Sequence, residues 1–533
     1  MAQTHSNFIS GHSNKKISDE GMFMKIERSS EWKEGFEERL ENRQVWDNWT
    51  LYKMCYEVEK VRLIKDFNGL QAPNFLPGLK PYPHQVEAAQ TVIERMNGKA
   101  ILADEVGLGK TIQAGLILKE YLIRGLVKKA LILVPASLIN QWIEELNQKF
   151  HIPVVQYNKK YDMSYCDIVV CSMDMAKRSP HRENIYNQDY DLIIIDEAHK
   201  LKNPKTKNYE FVQNLKKKFC LLLTATPIQN DVFELFNLIS LLKPGHLGNF
   251  ETFQSVFSAS KHNVEEDEFL KELINQVMVR NSRHETGIEW TNRRVQIIPL
   301  EFSEKEKEVY DMISELKHVS PVFSGAFSMI TLQKEICSSK HAAYLTLNEM
   351  RKKCTNPEEV SFTDEIIVKI SQLDTNTKAE KAYEIIKEAN GEKVIIFTEY
   401  RASQAFLQNF LYEKGIISVP FNGKFSKSKR EWMKQLFKEK AQVLIATESG
   451  SEGINLQFCH HVINYDLPWN PMKLEQRIGR VHRLGQEHDV NIYNLAIKHT
   501  IEDHILELLN VKIGVFEKVV GELDDILTFK MSI

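Results

Sequence analysis

The run Asp104-Glu105-Val106-Gly107-Leu108-Gly109-Lys110-Thr111 sets two glycines, a lysine and a hydroxyl just ahead of a helical stretch. Gly107 and Gly109 let a backbone turn tightly and present N–H groups to phosphate oxygens. The helix that follows adds the positive end of its dipole. Lys110 supplies a point charge for the β- and γ-phosphates, and Thr111 a hydroxyl for Mg²⁺. The strict phosphate-loop pattern has glycine where this chain has Asp104. A second run, Asp196-Glu197-Ala198-His199, follows an apolar stretch. There Asp196 is suited to hold the hydration shell of Mg²⁺, and Glu197 to orient and deprotonate an attacking water. Far downstream, Gln476-Arg477-Ile478-Gly479-Arg480-Val481-His482-Arg483 is dense in cations. Helical spacing would bring Arg477, Arg480 and Arg483 together, and an arginine on a transferring phosphoryl group contributes roughly 10³–10⁵ in turnover. The chemistry implied is ATP hydrolysis in a split site.

Those residues need strands to carry them. Short runs rich in Ile, Leu and Val at 99–103, 130–134, 167–171, 191–195 and 219–223 read as buried parallel strands separated by helices. The acidic pair lies at the carboxyl end of such a strand, where open α/β sheets bind ligands. Thr224-Ala225-Thr226-Pro227 leaves the last of these runs, placed to sense the nucleotide. The alternation returns at 393–397, 442–446 and 461–465, so the chain holds two α/β units. The expected organisation is an N-terminal helical extension over 1–78, a first lobe over 79–245, helical insertions and a linker over 246–375, a second lobe over 376–510, and a helical brace over 511–533. Helical spacing at 304–317 supports the insertion, and Pro73, Pro77, Gly78, Pro81 and Pro83 mark the first boundary.

Composition narrows the class. The 533 residues exceed one ordinary domain. Lys and Arg number 69 against 72 Asp and Glu, which excludes a coat of positive charge but not a local basic groove. Lys200, Lys202, Lys205 and Lys207, with Lys216, Lys217 and Lys218, either solvate a face or meet phosphates. The 7 cysteines are scattered with no C-x-x-C pair, arguing against a disulfide framework and a structural zinc site. No apolar run reaches the roughly 20 residues of a membrane helix, and the N-terminus has no secretory core, so a cytoplasmic location is expected. Trp142 and Trp469 are read as core residues in preference to base-stacking ones.

In this order the motifs resemble the core of superfamily-two helicases and, more narrowly, the Swi/Snf branch. The narrowing rests on residues 104–111, Gly453-Ile454-Asn455-Leu456, Asp466-Leu467-Pro468-Trp469-Asn470-Pro471 and Arg480-Val481-His482-Arg483-Leu484-Gly485-Gln486. The match spans about 79–510. Ile112-Gln113-Ala114-Gly115 and Arg280-Asn281-Ser282-Arg283 resemble the bacterial, RNA-polymerase-associated members. The resemblance implies an α/β fold of two tandem RecA-like, P-loop NTPase lobes with helical insertions between them. It places Gln85, in Pro81-Tyr82-Pro83-His84-Gln85, at the adenine. Asp104, Gly107, Leu108, Gly109, Lys110 and Thr111 then surround the phosphates, while Gly453, Asn455 and Gln476 line the cleft. Arg480 and Arg483 become the fingers; Thr224, Thr226 and His199 couple the lobes. Ser137, Ser172 and Thr447 lie where members touch nucleic-acid phosphates. The expected activity is an ATPase stimulated by double-stranded DNA that translocates without sequence preference. The alternatives are a strand-separating DNA or RNA helicase, and a remodelling partner of RNA polymerase or a defence complex.

Overall fold

Branched and long aliphatic residues in short runs become strands buried on both faces, each followed by a helix that returns the chain to the sheet's leading edge. The protein is described here by a computed structural model covering residues 38, 41, 49–62, 69–158, 166–228, 232–257, 264–319, 326–451, 454–520 and 526–527. The chain divides into two compact units, Met1–Asn68 and Gly69–Ile533. In the first, the helix Trp49–Arg62 stacks the Trp49 and Tyr52 rings with centroids 5.2 Å apart.

The second unit holds two parallel sheets. One contains β1 (Lys99–Leu102), β2 (Ala130–Val134), β3 (Val155–Gln156), β4 (Ile168–Ser172), β5 (Tyr190–Asp196), β6 (Lys217–Leu223) and β7 (Met278–Val279), in the order β3-β4-β2-β5-β6-β1-β7. The other contains β8 (Arg293–Leu300), β9 (Val394–Thr398), β10 (Ser418–Phe421), β11 (Val443–Thr447), β12 (His461–Asn464) and β13 (Val490–Ile497), in the order β10-β11-β9-β12-β13-β8. Every described pairing is parallel. The expected α/β architecture of two lobes is therefore present.

The lobe limits differ from the expected ones. The first lobe starts at Gly69, because the buried Glu120 carboxylate accepts from Gln71 N at 2.8 Å and Ala72 N at 2.6 Å, while Arg124 donates to the Gly69 carbonyl. It runs on to β7, which pairs with β1 from inside the expected helical segment. The second lobe begins at β8, eight paired positions alongside β13. A two-residue strand carries no readable period, and β8 alternates Arg293, Arg294 and Gln296 with apolar residues because it lies at the sheet edge. Only then comes the insertion, helices α1 (Glu304–Val319), α2 (Ala326–Ser338), α3 (Lys340–Arg351) and α4 (Pro357–Ser371), around a core of its own that includes Ile313, Leu332, Leu347 and Ile366. The C-terminal brace starts earlier than 511, as helix α5 (Ile501–Val519). Its Phe516 ring lies 4.8 Å beneath the Arg280 guanidinium that follows β7.

Candidate active site

The carboxyl end of β1 delivers the phosphate loop. Gly107 and Gly109 take φ of 96° and 90°, the left-handed region where glycine carries no Cβ penalty. The helix Lys110–Ile123 starts directly after Gly109, and no side chain caps its N-terminus. Lys110 Nζ turns back to donate to the carbonyls of Asp104 at 2.6 Å and Glu105 at 3.1 Å, and burial lowers its pKa. An uncapped helix start, an ammonium parked on two backbone carbonyls, and a glycine turn in the left-handed region together fit a triphosphate.

Asp104 opens the phosphate loop, and its carbonyl accepts from Lys110. Its carboxylate is buried and accepts from Asn281 N at 2.8 Å, Asn281 Nδ2 at 3.0 Å and Gln113 Nε2 at 2.5 Å. It therefore ties the phosphate loop to the connector after β7. Burial raises its pKa against the Lys110 charge and these hydrogen bonds. Gln85 also points at the loop: its Nε2 donates to Leu108 O at 2.9 Å, and His84 Nε2 lies 3.2 Å from the same oxygen. A Cβ on Gly109 would meet the Gln85 amide at 2.5 Å.

At the end of β5, Asp196 Oδ2 accepts from Trp142 Nε1 at 2.9 Å and Asp196 Oδ1 from Glu197 N at 2.8 Å. Burial, then the neighbouring Glu197 charge, pushes the Asp196 pKa up. Glu197 sits at φ 53°, a left-handed turn rare for a residue with a side chain. Burial opposes its ionisation, but His199, with Nδ1 3.2 Å from Glu197 Oε2, and the Arg480 and Lys110 charges hold its pKa down. The pair is thus split, with Glu197 the stronger acid of the two. Asp196 and the Thr111 hydroxyl are hard oxygen donors, the kind that Mg²⁺ takes. Thr224 N donates to Leu102 O at 3.0 Å, which seats the buried Thr224 and Thr226 beside the root of the phosphate loop.

The second lobe reaches this site through helix Pro471–Ile478 and the turns after it. A Cβ on Gly479 would meet Val106 Cγ1 at 2.3 Å, and a Cβ on Gly107 would meet Arg483 Cα at 3.3 Å. The backbone carrying Arg480 and Arg483 therefore rests directly on the phosphate loop. Burial and the Arg480 charge lower the Arg483 pKa to about 10, so it stays cationic at neutral pH. The expected trio of arginines is not formed. The helix stops at Ile478, ahead of Arg480 and Arg483, while Arg477 within it donates to Asn464 Oδ1 at 3.2 Å and Asp466 O at 2.8 Å of its own lobe.

A seam of buried charge joins the halves. Arg283, 2% exposed, lies 3.3 Å from Glu105 Oε2, donates to Val106 O, and reaches Glu475 Oε1 at 3.2 Å. Arg293 grips Glu475 bidentately at 2.6 and 2.9 Å and donates from Nε to His482 Nδ1 at 3.0 Å. Burial alone would raise the Glu475 pKa, but Arg293 and Arg283 bring it down to about 2. His482 Nε2 faces Thr291 O at 2.9 Å; burial and the two arginines push its pKa down to about 4, so the ring is neutral. Sequence reasoning singled out Arg280-Asn281-Ser282-Arg283 only as a resemblance. It missed Glu475, although that residue directly precedes Gln476. It also missed Trp142 as the partner of Asp196.

The remaining expected residues scatter. Gln476 is half-buried on its helix, and Gly453 lies outside the described residues. Ser137 is exposed after β2. Ser172 is buried, and its Oγ accepts from Met175 N at 3.3 Å as a helix cap. Thr447, ending β11, is buried with a hydroxyl that finds no partner among the described residues. Lys200, Lys205, Lys207, Lys216 and Lys218 are exposed, whereas Lys202 pairs with Glu234 at 2.8 Å and Lys217 donates to the Val212 carbonyl at 3.0 Å. Trp142 is a core residue, as expected, and Trp469 is partly buried under the Lys334 ammonium at 5.5 Å. Among the described residues, no helix is long and apolar enough to cross a membrane.

Residues 84–359 match the SNF2-related domain and 377–485 the helicase conserved C-terminal domain. The chain is 60% identical over 502 residues to the uncharacterized ATP-dependent helicase YqhH of Bacillus subtilis, covering 94% of this chain and 90% of that one. It is 28% identical to the RNA polymerase-associated protein RapA of Haemophilus influenzae over 82% of its own length, but spans only 47% of RapA. A solved Sulfolobus solfataricus SWI2/SNF2 ATPase core in complex with dsDNA is 24% identical, covers 84% of this chain and 95% of that chain, and has a TM-score of 0.40. The two domain matches and the likeness to YqhH make the chain a member of the SNF2-related, Swi/Snf family of helicase-type ATPases.

Proposed function

We propose that this ATPase is stimulated by double-stranded DNA and translocates along it without reading sequence. The observation that carries the reading is the approach of the two half-sites, with Gly107 under the backbone of Arg483 and Arg480 acting on the Glu197 charge. ATP and Mg²⁺ would supply the phosphoryl group and its charge neutralisation. Lys110 exchanges the Asp104 and Glu105 carbonyls for phosphate oxygens, and Asp196, oriented by Trp142, and Thr111 hold the metal. Glu197, anionic and aligned by His199, takes the proton of the attacking water. Arg480 and Arg483 stabilise charge that develops on the phosphoryl oxygens. Because those arginines belong to the other lobe, nucleotide turnover alternately favours lobe closure and release, the element a translocase needs.

Phosphate release, measured with duplex DNA, single-stranded DNA, RNA and no nucleic acid, tests the proposal. Strong stimulation by duplex DNA, abolished in Lys110→Ala, is expected. Equal rates in all four conditions would overturn it. A strand-displacement assay on labelled duplexes separates translocation from unwinding. The likeness to RapA supports a polymerase-bound role as a second reading; co-purification of RNA polymerase with the tagged chain at one-to-one stoichiometry is its test.

A further inference from the structure

The second lobe carries a compact set of metal-type donors at the end of its sheet remote from the ATP site. Glu392 lies two residues ahead of β9, and His461 opens β12, paired in register with Val394. Glu392 Oε2 lies 2.9 Å from His460 Nε2 and 2.6 Å from His461 Nε2, and the donor atoms of all three residues fall within 4.8 Å of one another. His488 borders them, its ring centroid 4.9 Å from that of His460.

The scaffold is rigid. His461 is flanked by paired strands on both sides, opposite Val394 of β9 and Asn491 of β13, and the His460 carbonyl accepts from Asn491 N at 2.8 Å. Donors on strand ends keep their spacing better than donors on loops. Burial is graded: the side chains of Glu392, His460 and His461 are 53%, 17% and 9% exposed. Solvent thus reaches the outer donor while the inner one is held.

From this geometry we propose that Glu392, His460 and His461 bind one Zn²⁺-type cation, with a fourth position open to water or to His488. Two imidazole nitrogens and one carboxylate oxygen suit zinc in a tetrahedral site, whereas Mg²⁺ and Ca²⁺ take oxygen donors. Bonds of about 2.0–2.2 Å set tetrahedral donors roughly 3.4 Å apart, so the present 2.6 and 2.9 Å spacings need to open by less than about 1 Å. The absence of paired cysteines excludes only thiolate zinc sites. The cation would clip together the leading ends of β9 and β12. With the ATP site at the opposite ends of parallel strands, separated by a five-residue β9, its role is structural or regulatory, not hydrolytic.

The full chain, dialysed against a chelator and titrated with Zn²⁺ in competition with a chromophoric chelator, tests this directly. One equivalent per chain should bind, and it should raise the thermal midpoint. Glu392→Gln and His460→Gln should each weaken binding tenfold or more. Both side chains are outside the catalytic machinery, so unchanged basal ATPase activity shows that the variants are folded. Co²⁺ in place of Zn²⁺ should give tetrahedral visible bands without a thiolate charge-transfer band, which separates this site from the neighbouring Cys459. No stoichiometric binding, equal affinity in wild type and variants, or a thiolate band would each overturn the proposal.

Discussion

Two networks of buried charge do opposite work in this protein. Inside the second lobe, Lys378 donates to Glu502 at 2.5 Å and to Tyr465 O at 2.9 Å. Next to it, Asp466 accepts from Ser338 at 3.0 Å, Thr398 at 2.6 Å and Glu399 N at 2.9 Å. All of these groups belong to the lobe, to the insertion helix that ends at Ser338 and to α5. At the seam, Arg283 instead links Glu105 and Val106 of one lobe to Glu475 of the other. Burial of charge is costly in both places. In the first it fixes one rigid body; in the second it sets the register between two bodies that the proposed cycle must move. The comparison teaches that equal burial can serve stability in one place and turnover in another.

The sharpest way to break that contrast is Lys378→Met. It strands Glu502 and Asp466 without their cation, and should cost about 3–5 kcal/mol of stability in thermal or denaturant unfolding. Phosphate release per folded molecule should stay near wild type.

Next comes pH. His482 is held neutral, its pKa near 4 against about 6.5 when unfolded. The unfolded chain therefore binds the extra proton, and the stability contribution is complete above pH 6.5 and lost as pH falls through 4. The loss amounts to roughly 3 kcal/mol. Denaturant unfolding of wild type between pH 7 and 4 should show this slope, and His482→Gln should flatten it.

Arg283→Ala and Glu475→Gln should lower the rate of phosphate release more than they lower the thermal midpoint. A double-mutant cycle on kcat should return a coupling of about 0.5–3 kcal/mol. Purely additive effects would place the seam with the interior network.

The smallest effect is expected for Trp142→Phe. The ring volume nearly survives, but the N–H to Asp196 is lost, at a cost of about 1.5 kcal/mol. It should appear as a higher Mg²⁺ requirement, measured by metal titration of the ATPase.

Much of the site was legible from residue order alone. Gly107, Gly109 and Lys110 announce a phosphate turn because few residue types adopt that backbone, and Asp196-Glu197 stands out after an uninterrupted apolar strand. Buried strands such as β2 and β5 were readable for the same reason. Edge strands were not: β7 has two residues, and β8 looks like polar linker because one side has no neighbour. The seam was illegible for another reason. Glu105, Arg283 and Glu475 are 178 and 192 positions apart, and no local pattern marks residues whose partners are supplied only by the packing of two lobes. The arginine trio misled because helical spacing says nothing about where the helix ends, which is before Arg480 and Arg483.

A structure determined with ADP, aluminium fluoride, Mg²⁺ and duplex DNA tests the central claim most directly. The account predicts the guanidinium groups of Arg480 and Arg483 within hydrogen-bonding reach of the fluoride ligands, about 2.7–3.2 Å, with Lys110 moved off the Asp104 and Glu105 carbonyls. Both guanidiniums more than about 6 Å away, beyond any direct contact, would contradict it.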